Sequence, residues 1–296
     1  MVTDASVAHK VRDLLEGPAT RPLLLQWRRR HFLSPEGFGF YFGVFDSFEA
    51  ARRSLPPNPE FGNEALAQEY VDLRSRKIFA YDYPVMWWLT RAFARGATRV
   101  LDIGGSVGVH FYAYRSYMEM PAALVWRIVE VPTIVALGRR VAAERGAAAL
   151  RFTDDLDEAL RGEGADVWIS AGALQYMEEG RPDELLRRCA TLPAHVVLNK
   201  LPLYPGDDFV CTQNIGHGCF APMWVFNRER FVCGIEALGY VLRDEWDVHE
   251  RSLYLPGHPE RSFPAFSGLY FSHRAATPFP TTGSTPGSVT GENNGS

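Results

Sequence analysis

From residue 97 to residue 273 the chain alternates short apolar runs with segments of helical periodicity. This alternation restricts the fold more than any other feature. The apolar runs are "TRVLDIGG" (98–105), "LVWRIVEV" (124–131), "ALRFTDD" (149–155), "ADVWISAG" (165–172), "HVVLNKLPL" (195–203), "YVLRDEWDV" (240–248) and "FSGLYFSHR" (266–274). Between them lie the helical segments "VHFYAYRSYME", "PTIVALGRRVAAERG", "LDEALRG", "PDELLRRCATL" and "NRERFVCGIEALG". Pro132 stands near the start of the second helix and Gly146 just past its end, the usual asymmetry of helix termini. Short strands alternating with helices predict a mostly parallel sheet covered on both faces. The last two runs are separated only by a loop, which predicts an antiparallel pair at one sheet edge.

Within this pattern the stretch "VLDIGGSVG" (100–108) stands out, because three glycines, Gly104, Gly105 and Gly108, fall directly after an apolar strand and an aspartate. Glycine loses much backbone entropy on folding, so such a cluster needs a reason. In open α/β sheets, ligands bind beyond the carboxyl ends of the strands. A glycine-rich turn at that edge lets a ligand approach the main chain, and the helix that follows at Val109 brings N–H groups to it. A turn with no ligand is the plain alternative. The dinucleotide fingerprint GxGxxG is absent, since counting from Gly104 its glycines would fall at Ser106 and Val109.

The pattern Asp102-x-Gly104-x-Ser106-x-Gly108 resembles the first motif, D/E-x-G-x-G-x-G, of class I S-adenosylmethionine-dependent methyltransferases. Ser106 replaces the middle glycine, with Gly105 beside it. The resemblance implies a Rossmann-like, doubly wound, mostly parallel seven-stranded sheet with an antiparallel last strand. It also implies S-adenosyl-L-methionine as cofactor, with Asp102, Gly104, Gly105, Ser106 and Gly108 at its site. Glu130 closes the second strand, where the family carries an acid for the ribose hydroxyls. A carboxylate suits that role, because it accepts two hydrogen bonds from a vicinal diol. Asp154 and Asp155 follow the third strand, where the family's acid faces the adenine; one of the two is equally a helix N-cap for "LDEALRG". Ser170, Ala171 and Gln175, in "SAGALQYMEE", match the stretch that lines the methionine end. Through "FGVFDSFEAA", "LDIGGSVG", "LQYMEE" and "TQNIGHGCFAPMWVFN" the chain also looks like a bacterial group of methyltransferases associated with surface-polysaccharide loci.

Methyl transfer to oxygen benefits from a base within hydrogen-bond reach of the acceptor. His217, flanked by glycines in "TQNIGHGCFAP" and read as lying in a loop after the fifth strand, is the first candidate; His110, just past the glycine loop, is the second. A structural histidine is the alternative for both. Tyr81, Tyr83 and Tyr176 are candidates for aromatic faces near a sulfonium, or for ordinary packing. Asp207 and Asp208 could bind a polar acceptor or make a turn. The expected acceptor is a small molecule or a saccharide. The rival readings are an NAD-dependent oxidoreductase on a similar sheet and a non-catalytic methyltransferase-like binding protein.

The remaining sequence sets limits. Residues 1–96 are expected to form a helical, aromatic-rich cap, with helices in "NEALAQEYVDLRSRK" (63–77) and "YPVMWWLTRAFARG" (83–96). The aromatics of "FGFYFGVFDSFEAARRSL" (38–55) are core or pocket lining. Residues 97–276 form the expected methyltransferase domain. Residues 277–296 are nearly all Thr, Pro, Gly, Ser and Asn; such a tail buries too little apolar surface to order. The formal net charge of −4, with acids and bases mixed, shows no stripe for tracking nucleic acid. The four cysteines form no CxxC pair, so no zinc site is expected and reduced thiols in a cytoplasm are. No apolar run reaches the roughly 20 residues of a membrane span, and the first residues lack the apolar stretch of a signal peptide.

Overall fold

The computed structural model describes residues 20–63, 65, 68, 75 and 77–276. The expected helix over 63–77 falls mostly outside these residues, as does the expected tail over 277–296.

The strands of the main sheet are β2 (Arg99–Ile103), β3 (Val125–Val129), β4 (Leu150–Thr153), β5 (Val167–Ala171), β6 (His195–Leu201), β10 (Tyr240–Val248) and β11 (Phe266–His273). Their spatial order is β10-β11-β6-β5-β2-β3-β4. β2 lies parallel to both β3 and β5, with Asp102 opposite Ile128 and Ile169. β11 runs antiparallel to β6 and to β10. The predicted pair is therefore present at the sheet edge, with the last strand inserted inside the second-to-last. The chain thus has the α/β, mostly parallel seven-stranded architecture that the alternation implies.

The period of two along each strand divides the core between the two faces. Val100, Trp126, Ile128, Val167, Ile169 and Val197 pack on one side. Leu101, Ile103, Val129, Trp168, Leu198 and Phe271 pack on the other. The first side is covered by α3 (Asp82–Phe93), α4 (Val109–Tyr114) and α5 (Pro132–Glu144). The second is covered by α6 (Leu156–Arg161), α7 (Pro182–Arg188) and α8 (Arg228–Glu236). Because the parallel strands are buried on both faces, they read as continuous apolar runs.

Two regions depart from the expected organisation. The helix at 83–96 is present as α3, but it belongs to the main core: Val85 and Leu89 are fully buried there, and Trp88 stacks on Tyr270 of β11 at 4.0 Å. The chain before it is not purely helical. Besides α1 (Arg21–Phe32) and α2 (Phe48–Arg53) it supplies a strand, β1 (Tyr41–Phe45), to a second sheet. The rest of that sheet comes from 203–227, which the sequence presents as a loop: β7 (Leu203–Tyr204), β8 (Phe209–Gly216) and β9 (Cys219–Asn227), in the order β1-β8-β9-β7. Its polar residues Thr212, Gln213 and Asn214 are buried in β8. Thr212 Oγ1 donates to the Phe42 carbonyl at 2.7 Å, and Asn214 Nδ2 donates to those of Phe32 and Ser34 at 2.7 and 3.0 Å. One face of this sheet packs Tyr41, Cys211, Met223 and Val225 against Val248, Leu255 and Phe266; the other packs Val210 against Phe48 and Ala51 of α2.

Candidate functional site

A cleft of about 450 Å³ opens at the carboxyl edge of the main sheet, within the size range of small-molecule sites. Its floor comes from the ends of β2, β3, β4 and β5, through Ile103, Gly104, Ser106, Glu130, Asp154 and Ala171. Its roof comes from the second sheet, through Tyr41, Gln213 and Ile215.

The glycine loop is shaped by its own protein neighbours. Gly104 has φ +75°, and a Cβ there would lie 2.0 Å from the Cβ of Ala173 in the loop after β5. A Cβ on Gly105 would lie 2.4 Å from Oδ2 of Asp102. Gly108 has φ +95° and would meet Leu150 at 2.9 Å. The glycines therefore let the loop fold onto Asp102 and the β5 loop, and only Gly104 lines the cleft itself. Gly105 and Gly108, expected at the cofactor site, are not among the residues that line the cleft. The N–H groups of Gly108 and Val109 already donate to the Gly105 carbonyl, at 3.1 and 3.2 Å.

Asp102 is also a supporting residue. It is fully buried on the face of β2 shared with Val100, and its Oδ2 accepts from Trp126 Nε1 at 3.1 Å and lies 2.9 Å from Nδ1 of His110. Nδ1 of His110 is placed to donate to the Asp102 carboxylate, and in that neutral tautomer Nε2 is the acceptor nitrogen. His110 is buried at the start of α4 and lines the cleft.

Glu130 stands at the end of β3 with its carboxylate at the loop. Its Oε1 accepts from the Ser106 N–H at 2.9 Å and its Oε2 from the Val131 N–H at 3.0 Å. Burial pushes its pKa up from the ordinary 4.5 to about 7, against the lowering effect of these two backbone donors; the nearby Asp102 pushes it up further. Two of the roughly four acceptor positions of the carboxylate are thus used, which leaves two for a ligand.

Asp154 and Asp155 divide their duties. Asp154 lines the cleft, whereas Asp155 is the N-cap of α6, its Oδ1 accepting from the Glu158 N–H at 2.8 Å. Ala171 and Gln175 line the cleft, but Ser170 does not: its Oγ donates to the Ile103 carbonyl at 2.9 Å and holds β5 to β2. The buried polar atoms that lack a hydrogen-bond partner among the described residues include three near the loop and the β5 end, Ser106 Oγ, Gln175 Oε1 and Asp102 Oδ1. Unsatisfied groups of this kind cost about 1–3 kcal/mol each. Two of the three residues, Ser106 and Gln175, border the cleft.

His217 is not brought to this site. Gly216, His217 and Gly218 all have positive φ, at 92°, 52° and 71°, and Gly216 pairs with Cys219. His217 and Gly218 are the two turn residues of a tight β8–β9 hairpin, which needs positive φ at both positions. The glycines serve the turn, and His217 is exposed at its tip. Of the tyrosines, Tyr176 lines the cleft, Tyr81 is buried but does not line it, and Tyr83 is 58% exposed on α3. Asp208 accepts from the Asn227 N–H at the end of β9 and from Arg181, and Asp207 pairs with Arg230 on the surface, so neither lines the cleft. Sequence reasoning missed Gln213, Lys200 and Arg251, which all line the cleft, whereas Tyr41 belongs to the aromatic stretch read as core or pocket lining. Among the described residues no group of three metal-ligating side chains comes together, and no helix is long and apolar enough to cross a membrane.

No protein family and no curated protein matches the chain. Among solved structures it is similar to an O-methyltransferase family protein from Burkholderia thailandensis, at 16% identity over 72% of this chain and with a TM-score of 0.46; it spans 60% of that protein's length. It is similar to the 1,6-didemethyltoxoflavin-N1-methyltransferase of the same organism, solved with 1,6-didemethyltoxoflavin and S-adenosylhomocysteine (16% identity, 74% of this chain, 92% of that one, TM-score 0.45). It is also similar to the CcbJ methyltransferase from Streptomyces caelestis (12% identity, 74% of this chain, 100% of that one, TM-score 0.47). At these values the likeness does not extend to residue roles or acceptors.

Proposed function

We propose that this chain is an S-adenosylmethionine-dependent methyltransferase that methylates an oxygen of a small molecule or saccharide. The observation that carries this reading is the joining of Glu130 to the glycine loop. The Ser106 N–H fixes one oxygen of a carboxylate that stands at the sheet edge with acceptor positions to spare. A ribose diol supplies the two donors that such a group accepts. The orphaned Gln175 Oε1 takes a donor from the methionine end, Asp154 takes the adenine amino group, and the Gly104 main chain lies against the ligand. When bound, the cofactor supplies an electrophilic methyl group.

The protein's task is then to hold the acceptor in line, exclude water and receive a proton. His110, which lines the cleft, is the base in this reading, with Asp102 on Nδ1 orienting the ring and Nε2 left to take the acceptor proton. The sequence resemblance supports a place in surface-polysaccharide chemistry, and the unpaired cysteines support a place in the cytoplasm.

The test is calorimetric titration of the protein with S-adenosylmethionine, S-adenosylhomocysteine and NADH. Micromolar binding of both adenosyl ligands and none of NADH is the expected result. Folded protein that binds neither adenosyl ligand sinks the reading, and NADH binding in their place turns it into an oxidoreductase.

A further inference from the structure

The charges lining the cleft are segregated. Its acids, Glu130 and Asp154, follow β3 and β4 at one edge of the main sheet. Its cations, Lys200 and Arg251, belong to the opposite side: Lys200 lies in β6, and Arg251 follows β10. The sheet order places β2 and β5 between β3 and β6, three strand spacings. At roughly 4.8 Å each, the cation end stands about 14 Å from the acid end. That span leaves the acids to one ligand and the cations to another.

Arg251 is fixed by its backbone. Its N–H donates to the Val248 carbonyl at 3.1 Å, and its own carbonyl accepts from the Phe266 N–H at 2.9 Å. Its side chain is half-buried and, among the described residues, forms no ion pair. Lys200 has φ +57°, and its ammonium lies 5.5 Å from the ring centre of Tyr81. Among the described residues no acid lines this end of the cleft. Beside it stand the phenol of Tyr41, which burial holds protonated as a donor, and the amide of Gln213. The rings of Phe38, Phe61 and Phe266 complete the wall.

We propose that the methyl acceptor carries an oxyanion, a carboxylate or a phosphate, on a flat apolar body, and that Arg251 with Lys200 holds that oxyanion at the β6–β11 end of the cleft. This rests on the methyltransferase reading only in naming the bound molecule the acceptor. A guanidinium presents a fork of donors that matches carboxylate and phosphate oxygens, and a neighbouring ammonium adds a point charge. A half-buried cation without a counter-ion is costly until an anion arrives.

The test is calorimetric titration of the full chain, with and without saturating S-adenosylhomocysteine, using 4-hydroxybenzoate, phenyl phosphate and the neutral 4-hydroxybenzamide. At least one anionic probe binds and the benzamide does not. The preferred anion identifies the group as carboxylate or phosphate. Arg251→Gln weakens the bound anion at least about tenfold and leaves S-adenosylhomocysteine affinity unchanged. Arg251→Lys, which keeps the charge and loses the fork, falls between; it also carries the test if the glutamine variant does not fold. Equal binding of benzoate and benzamide, no anion binding to the wild type, or full anion affinity in both folded variants overturns the proposal. Loss of S-adenosylhomocysteine binding with anion binding intact overturns the methyltransferase reading and leaves the oxyanion site standing.

Discussion

The floor and the roof of the cleft are built from different kinds of contact. The floor is the carboxyl edge of a parallel sheet whose strands are apolar on both faces, so its shape follows from short βαβ steps. The roof is a four-stranded sheet with polar side chains buried inside it, closed by pairing between distant segments: Tyr41 of β1 stands opposite Gln213 of β8. Groups proposed to hold a cofactor sit on the floor, and groups proposed to select the acceptor stand on the roof and at the β6–β11 end. The machinery shared with any user of the cofactor is thus on the locally built layer, and selectivity is on the long-range one.

The sharpest way to break this division is at Glu130. Glu130→Ala is expected to weaken S-adenosylhomocysteine about 100-fold, the loss of two hydrogen bonds to a charged acceptor, as read by calorimetry. If the variant binds like the wild type, the floor is not the cofactor's layer. The pH dependence sharpens the same point. With a folded pKa of about 7, Glu130 loses its charge below neutrality. Ligand affinity therefore falls below pH 7, approaching tenfold per pH unit. Stability moves the other way. The folded pKa is raised above the ordinary 4.5, so the favourable contribution of neutral Glu130 is complete below pH 4.5 and is lost as pH rises through 7. Opposite slopes of affinity and melting temperature, both absent in Glu130→Ala, are the expected pair.

Gly104→Ala is next. It places a Cβ 2.0 Å from that of Ala173 at a φ of +75°. A loss of about 3 kcal/mol of stability is expected, measured by denaturant unfolding, with cofactor affinity reduced because the loop must move. On the roof, Tyr41→Phe removes a hydroxyl bonded to Gln213 Nε2 at 3.4 Å. It should cost about 1 kcal/mol and leave S-adenosylhomocysteine affinity unchanged. A large fall in that affinity would show that the roof also holds the cofactor. His217→Gly is the smallest change, because glycine suits the φ of +52°. Stability within about 0.5 kcal/mol of wild type and unaltered turnover are expected.

The legibility of the two layers differs for the same physical reason. Strand and helix periods and the glycine turn marked the floor, and the resemblance to methyltransferase motifs pointed to Glu130, Asp154 and Gln175 on it. The period could not separate a residue facing the cleft from one a layer behind: Ser170 and Asp155 carry suitable oxygens but spend them on Ile103 and Glu158. The roof was hidden because "TQNIG" has the composition of a loop. Its Thr212 and Asn214 become strand residues only when their side chains meet carbonyls some 170 to 180 positions away. The one local signal was "HG" between two β-like runs, which belongs to a tight hairpin. Read as a ligand loop, it made His217 a catalytic candidate.

The place of β11 bears on how the molecule is made. β6 pairs on one side with β5 and on the other with β11, and β10 joins the sheet only through β11. A nascent chain that has reached Val248 but not Phe266 therefore exposes an unpaired edge on β6 and carries β10 with no neighbour. Such edges are templates for association with other chains. The sheet cannot close until residues 266–273 are free to pair, and until then the β6 edge is open to association.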